Sequence, residues 1–351
     1  MLIFLIVLLV LSLWKVKFSS FHEDYMGKGQ TGAIKGFFAI IVLFSHVRGY
    51  ITLTDSFLDV SFVYVINRIG QLMVTMFFFY SGFGVFKSYK EKQNYAKGFF
   101  KNRFLKTILH FDIAVLCYLV LSLIIGVTYE TKDYVFAWIG WTSLGNSNWF
   151  IFITLLLYLI TYLSFLTFER SKRKELLVLI FISILSCASW LALFFAGKEN
   201  YWFNTFLCYP FGMWFAYFEK RINDLLKEKK AVHYLIIVFS VVSFTLAYLF
   251  LARIVQRDAA HSVVSVLFCL MLACLMTKIK IDNPILRWLG KYSFLIYILQ
   301  RLPMIVLFAI GLSNSVLFVC ASTLITICIS FLLNMLFERI DKTLFNKKKI
   351  N

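Results

Sequence analysis

The stretch Gly36-Phe37-Phe38-Ala39-Ile40-Ile41-Val42-Leu43-Phe44-Ser45-His46-Val47-Arg48 decides how this chain is read. It is apolar as far as Phe44, then carries Ser45, His46 and Arg48 in quick succession. The apolar segment around it covers 34–53, close to the ~20 residues that cross a ~30 Å hydrocarbon core. A histidine inside such a run is costly to bury and marks either a bonded structural group or a working one.

Working outward, ten further apolar segments appear at 2–14, 69–86, 104–126, 149–168, 176–196, 201–218, 233–252, 262–277, 292–311 and 315–337. The sequence thus predicts an all-α integral membrane protein of about eleven transmembrane helices. Composition agrees. The 351 residues are 61% hydrophobic and 15% charged, with mean hydropathy +0.81, against roughly 45–50% and about 25% in soluble domains. A soluble globule, a disordered chain and a disulfide scaffold are excluded. The seven cysteines fall in apolar runs without metal spacing and read as small buried hydrophobes, so no metal site is expected.

The net charge of +18 is an orientation signal. Lysines and arginines alternate between loops: 29 fall in one set (15–35, 87–106, 170–174, 220–230, 278–291 and 339–349), and 6 in the other (Arg48, Arg68, Lys132, Lys198, Arg253 and Arg257). Cytoplasmic loops collect such cations. The expectation is an N-terminus outside, a C-terminus inside and no nucleic-acid partner. The first segment has its lysines after the apolar run, so 1–18 reads as an uncleaved anchor. Residues 28–340 form the multi-helix domain, and 341–351 a basic cytoplasmic tail. The outer connection 127–148, with Trp138 and Trp141, reads as a short interfacial helix.

Helical spacing organises the polar minority. Lys35 and His46 are eleven residues apart, which is ~16 Å along the axis and within ~20° of one face. This places His46 near the midplane, with Ala39 and Val42 between. Such a small-residue stripe makes room for a ligand or a close helix. Arg103, Lys106 and His110 share another face, either as a basic helix end that orients the protein or as an anion site. Asp112 lies nearly opposite Arg103 and needs a partner of its own. Ser293, Tyr297, Gln300 and Arg301 form a polar stripe in the tenth segment, and Pro303 is placed to kink it. Gly27-Lys28-Gly29-Gln30-Thr31-Gly32 lacks the spacing of a phosphate loop and reads as a turn.

At this point several stretches resemble the membrane acyltransferase-3 family. Lys35-x10-His46 resembles its Arg/Lys-x10-His signature, and Phe77-Phe78-Phe79-Tyr80-Ser81-Gly82-Phe83 its FFxxSGF/Y stretch. Arg103-Phe104-Leu105-Lys106 is similar to its RxxR motif. Asn148-Trp149-Phe150-Ile151 and Leu289 to Tyr297 resemble two later blocks, and the likeness covers about 28–340. Lys35 and Lys106 stand where arginine is commoner, and Gln300 where the last block often has histidine. The resemblance implies a ten-helix core, here with an extra anchor, in a bacterial cytoplasmic membrane. It implies an O-acyltransferase of envelope glycans that takes acetyl-CoA as donor and a lipid-linked or envelope saccharide as acceptor. On that reading His46 is the base or carries the group as a transient acyl-histidine, Ser81 and the Gly82 backbone shape the site, and Tyr297 donates to the developing oxyanion. Lys35, Arg103 and Lys106 hold the phosphates of CoA, and Arg48, Asn148, Trp149, Gln300 and Arg301 meet the acceptor. The competing readings are a transporter or flippase of lipid-linked sugars, which acyl-CoA dependence would dismiss, and a non-catalytic envelope assembly partner, which loss of His46 would leave intact.

Overall fold

The computed structural model describes residues 1–54, 56–251 and 257–345. Arg253 of the sparse cation set and Lys347, Lys348 and Lys349 of the basic tail lie outside the described residues. The helices, in chain order, are α1 (Leu2–Leu13), α2 (Lys28–Val47), α3 (Phe57–Glu91), α4 (Tyr95–Ile125), α5 (Thr131–Phe136), α6 (Trp149–Phe168) and α7 (Lys174–Phe195). They continue as α8 (Cys208–Glu228), α9 (Lys230–Phe250), α10 (Arg257–Met276), α11 (Pro284–Lys291), α12 (Ser293–Ala309) and α13 (Ser315–Leu344).

Eight of these helices are long and apolar enough to cross a membrane, and nine spans result if α11 and α12 count as one broken span. Two of the eleven expected segments therefore drop out. Helix α1 has only 12 residues. The 201–218 segment divides into a buried entry that is not α-helical (Trp202 to Phe206, at the end of the 3₁₀ turn Asn200–Trp202) and α8, whose second half carries Glu219, Lys220, Arg221, Asp224, Lys227 and Glu228. Irregular backbone at membrane depth is tolerated because protein surrounds it.

The fold is not wholly helical. Strands β1 (Val16–Phe18) and β2 (Ile279–Ile281) pair antiparallel, with Lys17 opposite Lys280. This ribbon joins two loops of the lysine-rich set. The pairs Lys87–Glu219, Lys227–Glu23 and Lys291–Glu338 link others of the same set. At the opposite end Ser315 bonds Thr52, and Lys198 lies over Trp141 and Trp202 at 3.6 and 4.2 Å. The connection 127–148 holds the expected short helix, α5.

Two glycine-mediated crossings fix the interior. A Cβ on Gly36 would strike the Leu286 carbonyl, and one on Gly290 the Gly32 carbonyl, so α2 and α11 touch backbone to backbone. Likewise Gly82 of α3 faces the Tyr209 carbonyl of α8, and Gly212 faces that of Phe79. Small residues permit such approach. Gly82→Ala is expected to destabilise the protein by about 1–3 kcal/mol through overpacking, read as an earlier thermal transition in detergent micelles. Unchanged melting would show that the crossing relaxes.

Candidate active site

Helix α2 begins at the Gly27 turn and ends at Val47, about six residues earlier at each end than its hydropathy implies. Its first turns need no apolar exterior because Gln30, Thr31 and Gly32 are buried against protein. His46 therefore stands in the last turn of α2, ~27 Å from Lys28 at 1.5 Å per residue, and not halfway along it.

A cavity of about 1000 Å³ opens at the lysine-rich end and runs between α2, α3, α4, α6 and α12. Ligand pockets commonly span ~300–1,000 Å³, so this one suits a large ligand. Its α2 wall is Lys28, Thr31, Lys35, Ala39 and Val42, a stripe at helical spacing. Arg103, Lys106 and His110 line the α4 wall together, as their period requires. Phe100–Leu105 is wound as a π-helix, a widening often found at functional sites. Arg103 lies within reach of the Tyr95, Tyr158 and Tyr209 hydroxyls and of Lys35. Among the described residues Lys28, Lys35, Lys92 and Arg103 pair with no carboxylate. These four cations line the opening together with Lys87, Lys106 and the carboxylates Asp24 and Glu91, so its charge is predominantly positive. Lys106 differs, because it pairs with Asp341 of α13, which also holds His110 Nε2 at 3.0 Å.

Deeper in the cavity, Ser81 Oγ and Tyr158 Oη are 3.1 Å apart. The blind end is aromatic. Phe78 packs on Phe150 at 4.6 Å between ring centroids, and Phe150 on Tyr297 at 5.1 Å. The Tyr297 hydroxyl is buried without a partner and so is free to donate.

His46 lies one turn beyond Val42 and is not among the residues that line the cavity. Its ring Nδ1 meets Arg301 Nη2 at 3.0 Å, and both side chains are only half-buried. Arg48 is exposed and bonded to Asn67. Gln300 is fully buried, donating to the Tyr297 carbonyl at 3.1 Å, with its Oε1 unpartnered. The Asn148 amide donates to the Gly140 carbonyl at 2.9 Å and so locks a turn. Trp149 packs on Tyr201 at 5.7 Å.

The predicted residues thus fall into two groups. Lys35, Ser81, Arg103, Lys106 and Tyr297 line the cavity, whereas His46, Arg48, Asn148, Trp149, Gln300 and Arg301 do not, and His46 and Arg301 of this second group are in direct contact. Sequence reasoning missed Lys28 and Thr31, although their spacing from Lys35 continues the same stripe. It also assigned Gly82 to the site, where its nearest neighbour is the α8 backbone. Asp112 Oδ1 is buried without a partner among the described residues. Pro303 sits in the first turn of its helical stretch, beside a break at Gln300. The 59° bend falls between Lys291 and Ser293 instead.

Comparison with known proteins gives one match: the acyltransferase-3 family model, described as an acyltransferase domain, aligns with residues 32–335. No curated protein and no solved structure matches the chain significantly.

Proposed function

The chain belongs to the acyltransferase-3 family, and from that premise we propose that it is a membrane O-acyltransferase, moving an acetyl group from acetyl-CoA to a hydroxyl of an envelope or capsular polysaccharide. The observation that carries the donor half is the basic-mouthed cavity, whose unpaired cations stand where CoA phosphates can be held by charge-assisted hydrogen bonds. In this reading the lysine-rich end faces the cytoplasm of a bacterial cell. The pantetheine arm follows the Thr31–Val42 stripe, and the thioester halts against the Phe78–Phe150–Tyr297 plug.

The acceptor half rests on His46. It stands ~6 Å beyond Val42 along the helix, at the end remote from the lysines. The acceptor hydroxyl gives its proton to His46 as its oxygen attacks the thioester carbonyl. The carbon–sulfur bond then breaks, and the imidazolium returns the proton to the leaving thiolate. In this reading the Tyr297 hydroxyl donates to the developing oxyanion. For the thioester and His46 to meet, these rings must move aside.

The direct test is transfer of radiolabelled acetyl from acetyl-CoA by the protein in lipid nanodiscs, paired with mass spectrometry of envelope polysaccharides with and without the protein. Unaltered acylation in both would end the proposal. Acceptor-linked flux without CoA consumption would favour a flippase. The Asp341 pairing gives a further expectation. Asp341→Asn should free Lys106 and lower the KM for acetyl-CoA about 2–5-fold, the scale of a partly exposed ion pair. A raised KM would mean that Lys106 must be neutralised for the donor to bind.

A further inference from the structure

Arg301 is a guanidinium inside the helix bundle with no carboxylate at ion-pair distance among the described residues. Intramembrane cations normally face a partner or a pathway. What Arg301 has is His46 Nδ1 on its Nη2, while its Nε is buried and unpartnered. Beside it the hydroxyl of the buried Tyr118 also has no partner among the described residues.

Arginine carries five donors and no acceptor, so the imidazole must accept. A neutral ring that accepts at Nδ1 carries its proton on Nε2. The lone pair that a base needs is therefore already engaged. Protonating Nδ1 in place would set two N–H groups against each other. His46 cannot take a proton at Nδ1 until the guanidinium is drawn away.

Nε and Nη2 are the two parallel donors of one edge of the guanidinium, the edge that grips carboxylates and phosphates in bidentate fashion. Resting on the acyltransferase reading above, we propose that the acceptor bears an oxyanion, a phosphate or a carboxylate, that binds the Nε/Nη2 edge of Arg301 and so releases His46 Nδ1 to act as the base. The substrate class is then an anionic glycan, and a neutral sugar leaves the base occupied. The order of events follows: anion on Arg301, proton from the neighbouring hydroxyl to Nδ1, then attack on the thioester.

The full chain, ¹⁵N-labelled at histidine and held in nanodiscs without acetyl-CoA, tests this. His46 is assigned by the loss of its signals in His46→Asn. At rest the ring should show the Nε2–H tautomer with Nδ1 as acceptor. Farnesyl phosphate or glucuronate should move the Nδ1 resonance, and farnesol or glucose should not. A response to the first alone places the anion on the lipid carrier, and a response to the second places it on the sugar. Arg301→Lys keeps the charge but lacks the fork, and Arg301→Gln lacks both; either should abolish the response. Equal shifts from neutral and anionic probes, no shift at all, or a shift that persists in both variants overturns the proposal. In the transfer assay anionic acceptors should be used at least ~10-fold better than neutral ones, the scale of one charge-assisted bond. Equal use of both sinks this inference and leaves the acyltransferase standing. An intact NMR response without acetyl transfer does the reverse.

Discussion

His46→Ala is expected to cut acyl transfer by about 10²–10⁴-fold, the range that a positioned general base contributes. Of the other histidines, His110 is committed to Asp341 and Phe337, and His233 to Thr277. Alanine alone confuses two effects, because it also strands the Arg301 guanidinium by removing its acceptor. An unsatisfied buried donor costs roughly 1–3 kcal/mol in its own right. His46→Asn separates them. Its amide oxygen can accept from Arg301, so the protein should melt like the wild type, yet it offers no ring nitrogen to take a proton. Both variants should lose transfer in nanodiscs. Activity in His46→Asn near the wild-type level would remove the base assignment and leave His46 a structural acceptor.

Arg103→Gln should raise the KM for acetyl-CoA by about 10–100-fold with a much smaller change in kcat. A hydrogen bond to a charged group contributes ~1.5–3 kcal/mol, and among the described residues Arg103 has no carboxylate at ion-pair distance. The interaction is with the donor's phosphates, which are as charged in the ground state as in the transition state, so it acts as uniform binding. Lys35→Gln should behave similarly, and the double variant should show less than the product of the two, because the cations lie within electrostatic reach of each other. Lys227→Gln is the control, since that lysine is exposed, paired with Glu23 at 2.7 Å and outside the cavity. A KM unchanged in Arg103→Gln, or equal rises for Arg103→Gln and Lys227→Gln, would dismiss a phosphate site at this mouth. The KM for the acceptor should be insensitive to all of these changes.

Much of the fold was legible because its signals are local. Hydropathy over a window marks a span whatever surrounds it, and eight of the eleven expected segments return as spanning helices, with a ninth as a bent pair. The failures are instructive. Residues 201–218 are apolar on average, but the apolar share is spent on a buried entry that is not α-helical, so too little is left for a spanning helix. Helix α2 starts earlier than its hydropathy because glycines and a buried glutamine replace lipid-facing bulk. The small β1–β2 ribbon pairs three-residue strands over 260 residues apart in sequence, and no periodicity of that length can announce it.

The candidate site divides in the same way. Lys35, Arg103 and Lys106 were named from helical spacing and do share a wall. That Lys106 is already neutralised depends on Asp341, 235 positions later, which no spacing on α4 reveals.

By itself, then, the sequence determined the solvent of this protein, the end at which its cations gather and the α2 face that runs from Lys35 toward His46. Each of these follows from composition or from the 3.6-residue period, which a helix carries wherever it packs. Only the tertiary structure decided that the cavity follows that face no farther than Val42, with the rings of Phe78, Phe150 and Tyr297 in its wall, and that Arg301 meets His46 across 255 residues of chain. Those outcomes depend on how closely and at what tilt distant helices meet. That is set by backbone contacts at Gly36 and Gly290 and at Gly82 and Gly212, each of which needs both partners in place before it exists.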